Sequence, residues 1–71
     1  MNGSLEKYRN ISYTKIKQVT VADIAGRMVR NMQVNGADMA QLNIADLQKG
    51  IYLVKIISSN NIVETQKLIV Q

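Results

Sequence analysis

Apolar and polar positions along this chain alternate with a period of two far more often than they recur with the period of a helix, which predicts strands nearly throughout. Val19-Thr20-Val21-Ala22-Asp23 alternates, with two β-branched residues on one face. Ile24-Ala25-Gly26-Arg27 interrupts it, and Gly26 supplies a residue that takes positive φ without strain. The pattern resumes over residues 27–34, apolar at Met28, Val29, Met32 and Val34. The spacing of 28, 29 and 32 also suits one helical turn, but the length and the flanking glycines favour a strand. Asn35-Gly36 is the strongest short turn signal in the chain, because a type I′ hairpin turn needs positive φ at both central positions. It predicts a hairpin between strand 27–34 and a strand over 39–45 whose apolar face is Met39, Leu42 and Ile44.

Downstream, Asp46-Leu47-Gln48-Lys49-Gly50 reads as a tight connection. Asp46 is suited to accept backbone N–H groups, Gly50 to the left-handed conformation, and Leu47 to plugging the core from the loop. Residues 50–57 are apolar on both faces, with Tyr52, Val54 and Ile56 on one and Ile51, Leu53 and Ile57 on the other, which is how a central strand covered on two sides reads. Ser58-Ser59-Asn60-Asn61 is the next turn, and residues 62–70 return along the preceding strand. Upstream, Ile11, Tyr13 and Ile16 line a first strand. Successive strands with short turns and no long amphipathic helix point to an all-β fold, either a meander or a Greek-key β-sandwich. Five to six strands are few for a sandwich, so it is either small or lacks an edge. Residues 1–10 read as a lead-in and 11–71 as the sandwich.

At 71 residues the chain holds one small domain. Domains of this size often add a disulfide or a metal; with no Cys and no His, this one has neither a disulfide nor a typical zinc site and must fold on packing alone or on a neighbour's surface. The apolar fraction of 46% is too high for a disordered chain. Its apolar runs are far shorter than a membrane span, and Met1-Asn2-Gly3-Ser4 lacks the pattern of a signal peptide, so the chain as given reads as soluble, with no membrane insertion.

The net charge of +4 raises a nucleic-acid reading, but among the basic residues only Lys7, Arg9, Lys15 and Lys17 cluster. There is no Phe or Trp, and three separated tyrosines make a poor stacking platform, so a mildly basic solvated surface is the simpler explanation. Without His or Cys the usual nucleophile–base pairs cannot be built. Of the five acidic residues, Asp23 and Asp46 fall at turns, where capping explains them and where they lack calcium-loop spacing. Gly3, Gly26, Gly36 and Gly50 are isolated and form no phosphate loop, and the four methionines read as core filler. No catalytic, metal or cofactor residue emerges. An ordered final strand, Lys67-Leu68-Ile69-Val70-Gln71, is by contrast an end that another protein can read, by strand addition or through its side chains.

Three stretches resemble a known family in order and spacing. Val19 to Val29 resembles its V-x-V-Y-D-x-x-G-R-x-V strand–turn–strand, Leu42 to Ile56 its I-D-[VL]-S-x-L-x-x-G-[IV]-Y-[FL]-V-x-[IV] segment, and Thr65 to Gln71 its closing T-x-K-[IL]-[IV]-[IV]. The family is the type A C-terminal sorting domain of the Bacteroidetes type IX (Por) secretion system, and the resemblance covers residues 16–71. It implies a small Ig-like sandwich that catalyses nothing and directs an N-terminally fused cargo. The domain is read in the periplasm by outer-membrane translocon components, then often removed by a sortase-like peptidase, with the cargo left on the outer-membrane surface or secreted. The matching positions are Gly26 and Arg27, then Asp46, Leu47, Gly50 and Tyr52, then Lys67, Leu68, Ile69, Val70 and Gln71. The chain departs from the pattern at Ala22, Ala45 and Asn60-Asn61, and it has no proline where the family usually begins with Pro-Asn-Pro. Loss of a first strand would leave an edge that favours self-association. The competing reading is an Ig-like adhesive or carbohydrate-binding module, for which Tyr8, Tyr13 and Tyr52 are a meagre aromatic supply.

Overall fold

A computed structural model describes residues 8–71. They form four strands and no helix: β1 (Tyr8–Asp23), β2 (Met28–Asn43), β3 (Gly50–Ser58) and β4 (Val63–Val70). The sheet is antiparallel in the order β2-β1-β3-β4. Two hairpins, β1–β2 and β3–β4, thus sit side by side, and the polypeptide leaves β2 on one edge to re-enter beyond β1.

That crossing dictates the shape. Asn43 lies opposite Tyr8, whereas β3 begins beside the other end of β1, where Tyr52 pairs with Asp23. A straight β1 would separate those points by about 50 Å, and the connection over residues 44–49 spans at most about 25 Å. The β1–β2 ribbon therefore folds back over the sheet, bending where the ladder is irregular. Ser12 pairs with Met39, Ile16 with Ala37 and Gln18 with Gln33. From Ser12 to Gln18 and from Met39 back to Gln33 are six steps on each strand, so the bend leaves the register on either side of it in phase. Lys15 (φ +51°) and Gly36 (φ +73°) take the left-handed conformation there. The bend is held by the Lys15 N–H donating to Asp38 Oδ1 (3.0 Å) and by the Ser59 N–H donating to the Lys15 carbonyl (2.8 Å).

Folding back gives the core its second layer. Ile11, Ala40 and Leu42 of the ribbon, with Ile44 just beyond it, belong to one buried cluster with Ile16, Val19, Val21, Tyr52, Val54, Ile56 and Leu68. Two layers packed face to face lie about 10 Å apart, which is why the ribbon meets β3 and β4 through side chains and not through hydrogen bonds.

Several expectations change. The expected five to six strands are four among the described residues, because the segment lined by Ile11, Tyr13 and Ile16 and the one over 19–23 are one strand, and the segments read as 27–34 and 39–45 join in one strand that ends at Asn43. Asn35-Gly36 does not reverse the backbone: its glycine supplies the positive φ of a bend within β2, and the hairpin turn is Ile24–Arg27 instead. The order β2-β1-β3-β4 is not a meander. β3 is central but covered on one face only, for Tyr52, Val54 and Ile56 are buried while Ile51 and Leu53 remain 44% and 45% exposed. Leu42 on β2 and Ile44 just beyond it are inside as expected, but Met39 is outside. The turn at Ser58–Ile62 forms as read: Asn61 takes φ +66°, and its N–H donates to the Ser58 carbonyl (2.9 Å).

The core lies on one side of the central strand, so Val54 has nowhere to place a charge. Val54→Asp buries an unpaired carboxylate at a cost of several kcal/mol, against a net stability on the order of 3–5 kcal/mol for a domain this small. Circular dichroism should show loss of the strand signal and of any cooperative melt.

Candidate functional site

The positions singled out in the sequence come from three separate stretches, and the sheet gathers them at one end. There β1 finishes, β2 and β3 start and β4 finishes: Asp23 pairs with Tyr52, Tyr52 with Leu68, Ile51 with Ile69 and Gly50 with Val70. Gly26 and Arg27 lie in the turn above β1, and Asp46 and Leu47 lie in the connection that descends onto β3. Lys67 sits one step further in, opposite Leu53, and Gln71 follows β4 directly.

Each part of this pole is fixed by local chemistry. In the first turn Asp23 Oδ1 accepts the N–H groups of Ala25 (3.0 Å) and Arg27 (2.9 Å), and Oδ2 accepts Arg27 Nε (3.0 Å). Gly26, at φ +91°, donates its N–H to the Asp23 carbonyl (2.9 Å). The N–H and guanidinium donors of Arg27, with the N–H of Ala25, hold the Asp23 carboxyl below the usual carboxylate range, against an opposing effect of burial. Arg27 thus serves the turn through its backbone and its Nε while most of its side chain stays in solvent.

The second part corrects one expectation. Asp46 does not cap the loop; Asn43 does, its Oδ1 accepting the Ala45 N–H (3.0 Å), and the Leu47 N–H closes a turn onto the Ile44 carbonyl (3.1 Å). Asp46 instead pairs with Arg30 of β2, which also donates Nη1 to the Val29 carbonyl (2.7 Å). That pair ties the connection back to the strand it has just left. Arg30 was not identifiable from sequence, since nothing local links it to a residue sixteen positions on. Leu47 does pack against the core as expected, and Tyr52, buried, donates its hydroxyl to the Gln48 carbonyl (2.6 Å). Gly50 takes φ +155°, a positive value that favours glycine, as expected of this position.

The third part is two-faced. Leu68 is buried and Val70 half-buried, while Lys67 and Ile69 point outward beside Leu53 and Ile51. With Met28 and Ile24 these make an outer face that is apolar and basic together. An open trough of about 420 Å³ runs along it, floored by Thr20, Ala22, Leu53, Lys55 and Thr65 and closed at the turn by Gly26. The outer edge of β4 has no strand neighbour among the described residues. Nor do three His, Cys, Asp or Glu side chains gather anywhere among them.

The profile of one protein family, described as the secretion system C-terminal sorting domain, matches residues 5–71. The chain belongs to that family. No curated protein and no solved structure matches it. As a sorting domain it is a C-terminal signal for type IX secretion, which implies a cargo fused on its N-terminal side, interaction with the secretion machinery, and export toward the cell surface or the medium. The match takes in all three stretches that meet at the pole.

The Asp23 turn makes the pole sensitive to acid. A carboxyl whose folded pKa is depressed contributes stability that is complete above its unfolded pKa and is lost as pH falls through the folded value. The melting temperature should therefore decline below the ordinary carboxylate range. Asp23→Asn should melt lower than the parent at neutral pH and show a shallower acid decline, measured by thermal circular dichroism across the acid range.

Proposed function

We propose that the pole formed by Gly26, Arg27, Asp46, Leu47, Gly50, Tyr52 and residues 67–71 is the address that the secretion machinery reads, and that the protein is a non-catalytic type A sorting domain of the Bacteroidetes system. In this reading the four strands act as a small Ig-like sandwich. Outer-membrane translocon components meet it in the periplasm, and a sortase-like peptidase separates it from its cargo. The observation that carries the proposal is the division of labour on β4. Leu68 is 1% exposed and anchors the strand, while Ile69 is 49% exposed and is displayed with Lys67 on the outer face. The first turn, the β2–β3 connection and the start of β3 hold that strand end in a fixed place.

Only side chains on the outer face can be changed without disturbing the core. The test fuses residues 1–71 to an exported reporter in a host with a working type IX system and compares the parent with the double variant Lys67→Glu, Ile69→Asn. Surface substitutions of this kind leave the melting temperature nearly unchanged. The parent tail should deliver the reporter to the surface, and the variant should leave it in the periplasm. Equal delivery by a folded variant would overturn the assignment of the address to this strand end.

A further inference from the structure

We infer that Asn35-Gly36 is a self-modification site, at which the folded domain converts an asparagine to aspartate and isoaspartate. The reaction needs an exposed asparagine carboxamide that nothing holds, followed by a residue whose backbone nitrogen is unshielded. The Gly36 nitrogen, having lost its proton to base, attacks Asn35 Cγ. The bond from Cγ to the carboxamide nitrogen breaks and ammonia leaves, closing a five-membered succinimide. Water then opens the ring at either carbonyl, giving a normal aspartyl link or one in which the backbone runs through Cγ. The net change is amide plus water to carboxylate plus ammonia, with no oxidant or cofactor.

The structure separates this asparagine from the others. Asn31 Oδ1 accepts Gln18 Nε2 (2.9 Å), Asn43 Oδ1 accepts the Ala45 N–H (3.0 Å), Asn60 Oδ1 accepts Ser58 Oγ (2.6 Å) and Asn61 Oδ1 accepts Lys17 Nζ (2.7 Å). Asn10 precedes Ile11, whose branched side chain is buried and crowds the approach to its nitrogen. Asn35 is exposed, and among the described residues its carboxamide has no hydrogen-bond partner. Gly36 is exposed too, and no atom beyond its own and its two chain neighbours' lies within 4 Å of where a side chain would start. Ladder pairing, which would otherwise hold the backbone rigid against ring closure, skips the site: β1 pairs with Gln33 and next with Ala37.

The site lies at the bend on which the two-layer fold depends. Conversion puts a new carboxylate close in sequence to Asp38, whose Oδ1 receives the Lys15 N–H. The isoaspartyl form also lengthens the β2 backbone by one carbon at the point where the strand turns over.

The test incubates the folded 71-residue protein at mildly alkaline pH, digests it with trypsin and maps the peptides by mass and by isoaspartate detection. Residues 31–49 should form one peptide, bounded by Arg30 and Lys49. It should accumulate the deamidated mass at Asn35 while Asn31, Asn43, Asn60 and Asn61 stay intact, and Asn35→Gln should abolish that product. Asn2-Gly3 falls in a different peptide and cannot be mistaken for it. The inference is overturned if position 35 stays unmodified in the folded protein while the isolated 31–49 peptide converts, or if conversion falls on the held asparagines instead.

Discussion

The shortness of the connection between β2 and β3 is the constraint from which the rest of the structure follows. Six residues cannot carry the backbone from the far end of a straight sixteen-residue hairpin back to its near end. The hairpin has to turn over, and turning over is what creates an inside. Without it Ile11, Ala40 and Leu42 would lie on an uncovered ribbon and Val19, Val21, Val54 and Ile56 on a sheet open on both faces. A single four-stranded sheet thus becomes a two-layered domain. The bend is accordingly where Lys15 and Gly36 take positive φ, and where β1, β2 and the β3–β4 turn are joined by hydrogen bonds.

The same constraint brings the pole together. Because the connection must return to the end of the sheet where β1 finishes, it brings Asp46 back to the start of β2 and Leu47 onto the core. The Arg30–Asp46 pair and the Tyr52 hydroxyl on the Gln48 carbonyl then hold the returning segment down. Arg30 is partly shielded and Asp46 mostly exposed, and an ion pair so open to water contributes little net stability; its role is to choose one path for the loop. Three stretches of sequence with no local relation meet at one end of the sheet through a single topological requirement.

What could be read from sequence was whatever local chemistry decides. The β3–β4 hairpin was legible because alternation, a polar break and Asn61 all agree, and so was the turn at Gly26. The buried row Tyr52, Val54 and Ile56 was legible as one face of β3. Asn35-Gly36 misled for a physical reason: the pair permits positive φ, but whether the backbone then reverses or merely bends depends on whether a partner strand continues past it. Here β1 continues past it, which no local window can show. Likewise Ile51 and Leu53 read as a second buried face because apolar character marks what a residue tolerates, not what lies opposite. Asp46 was legible as a loop residue but not as the partner of Arg30, since that pair exists only once the ribbon has folded back. The pole was legible as three separate motifs, and its unity was not.

An exported tag faces competing demands, for the residues that identify it must be free to touch a receptor while the segment bearing them stays folded without outside help. A helix end or a loose tail would meet the first demand only, since termini fray unless tied down. A last strand with one inward and one outward face meets both. Leu68 and Val70 hold β4 to the core, and their alternation obliges Lys67 and Ile69 to face solvent next to Ile51 and Leu53. The apolar residues left exposed on β3 then make sense as the neighbours of the displayed ones. A face of two lysines and several aliphatic side chains is ill-suited to stacking on a copy of itself, where lysine would meet lysine, and better suited to a partner carrying acidic and apolar groups together. The one-sided core and the exposed outer face are therefore two consequences of a sheet that folds one hairpin over itself and leaves its other surface uncovered.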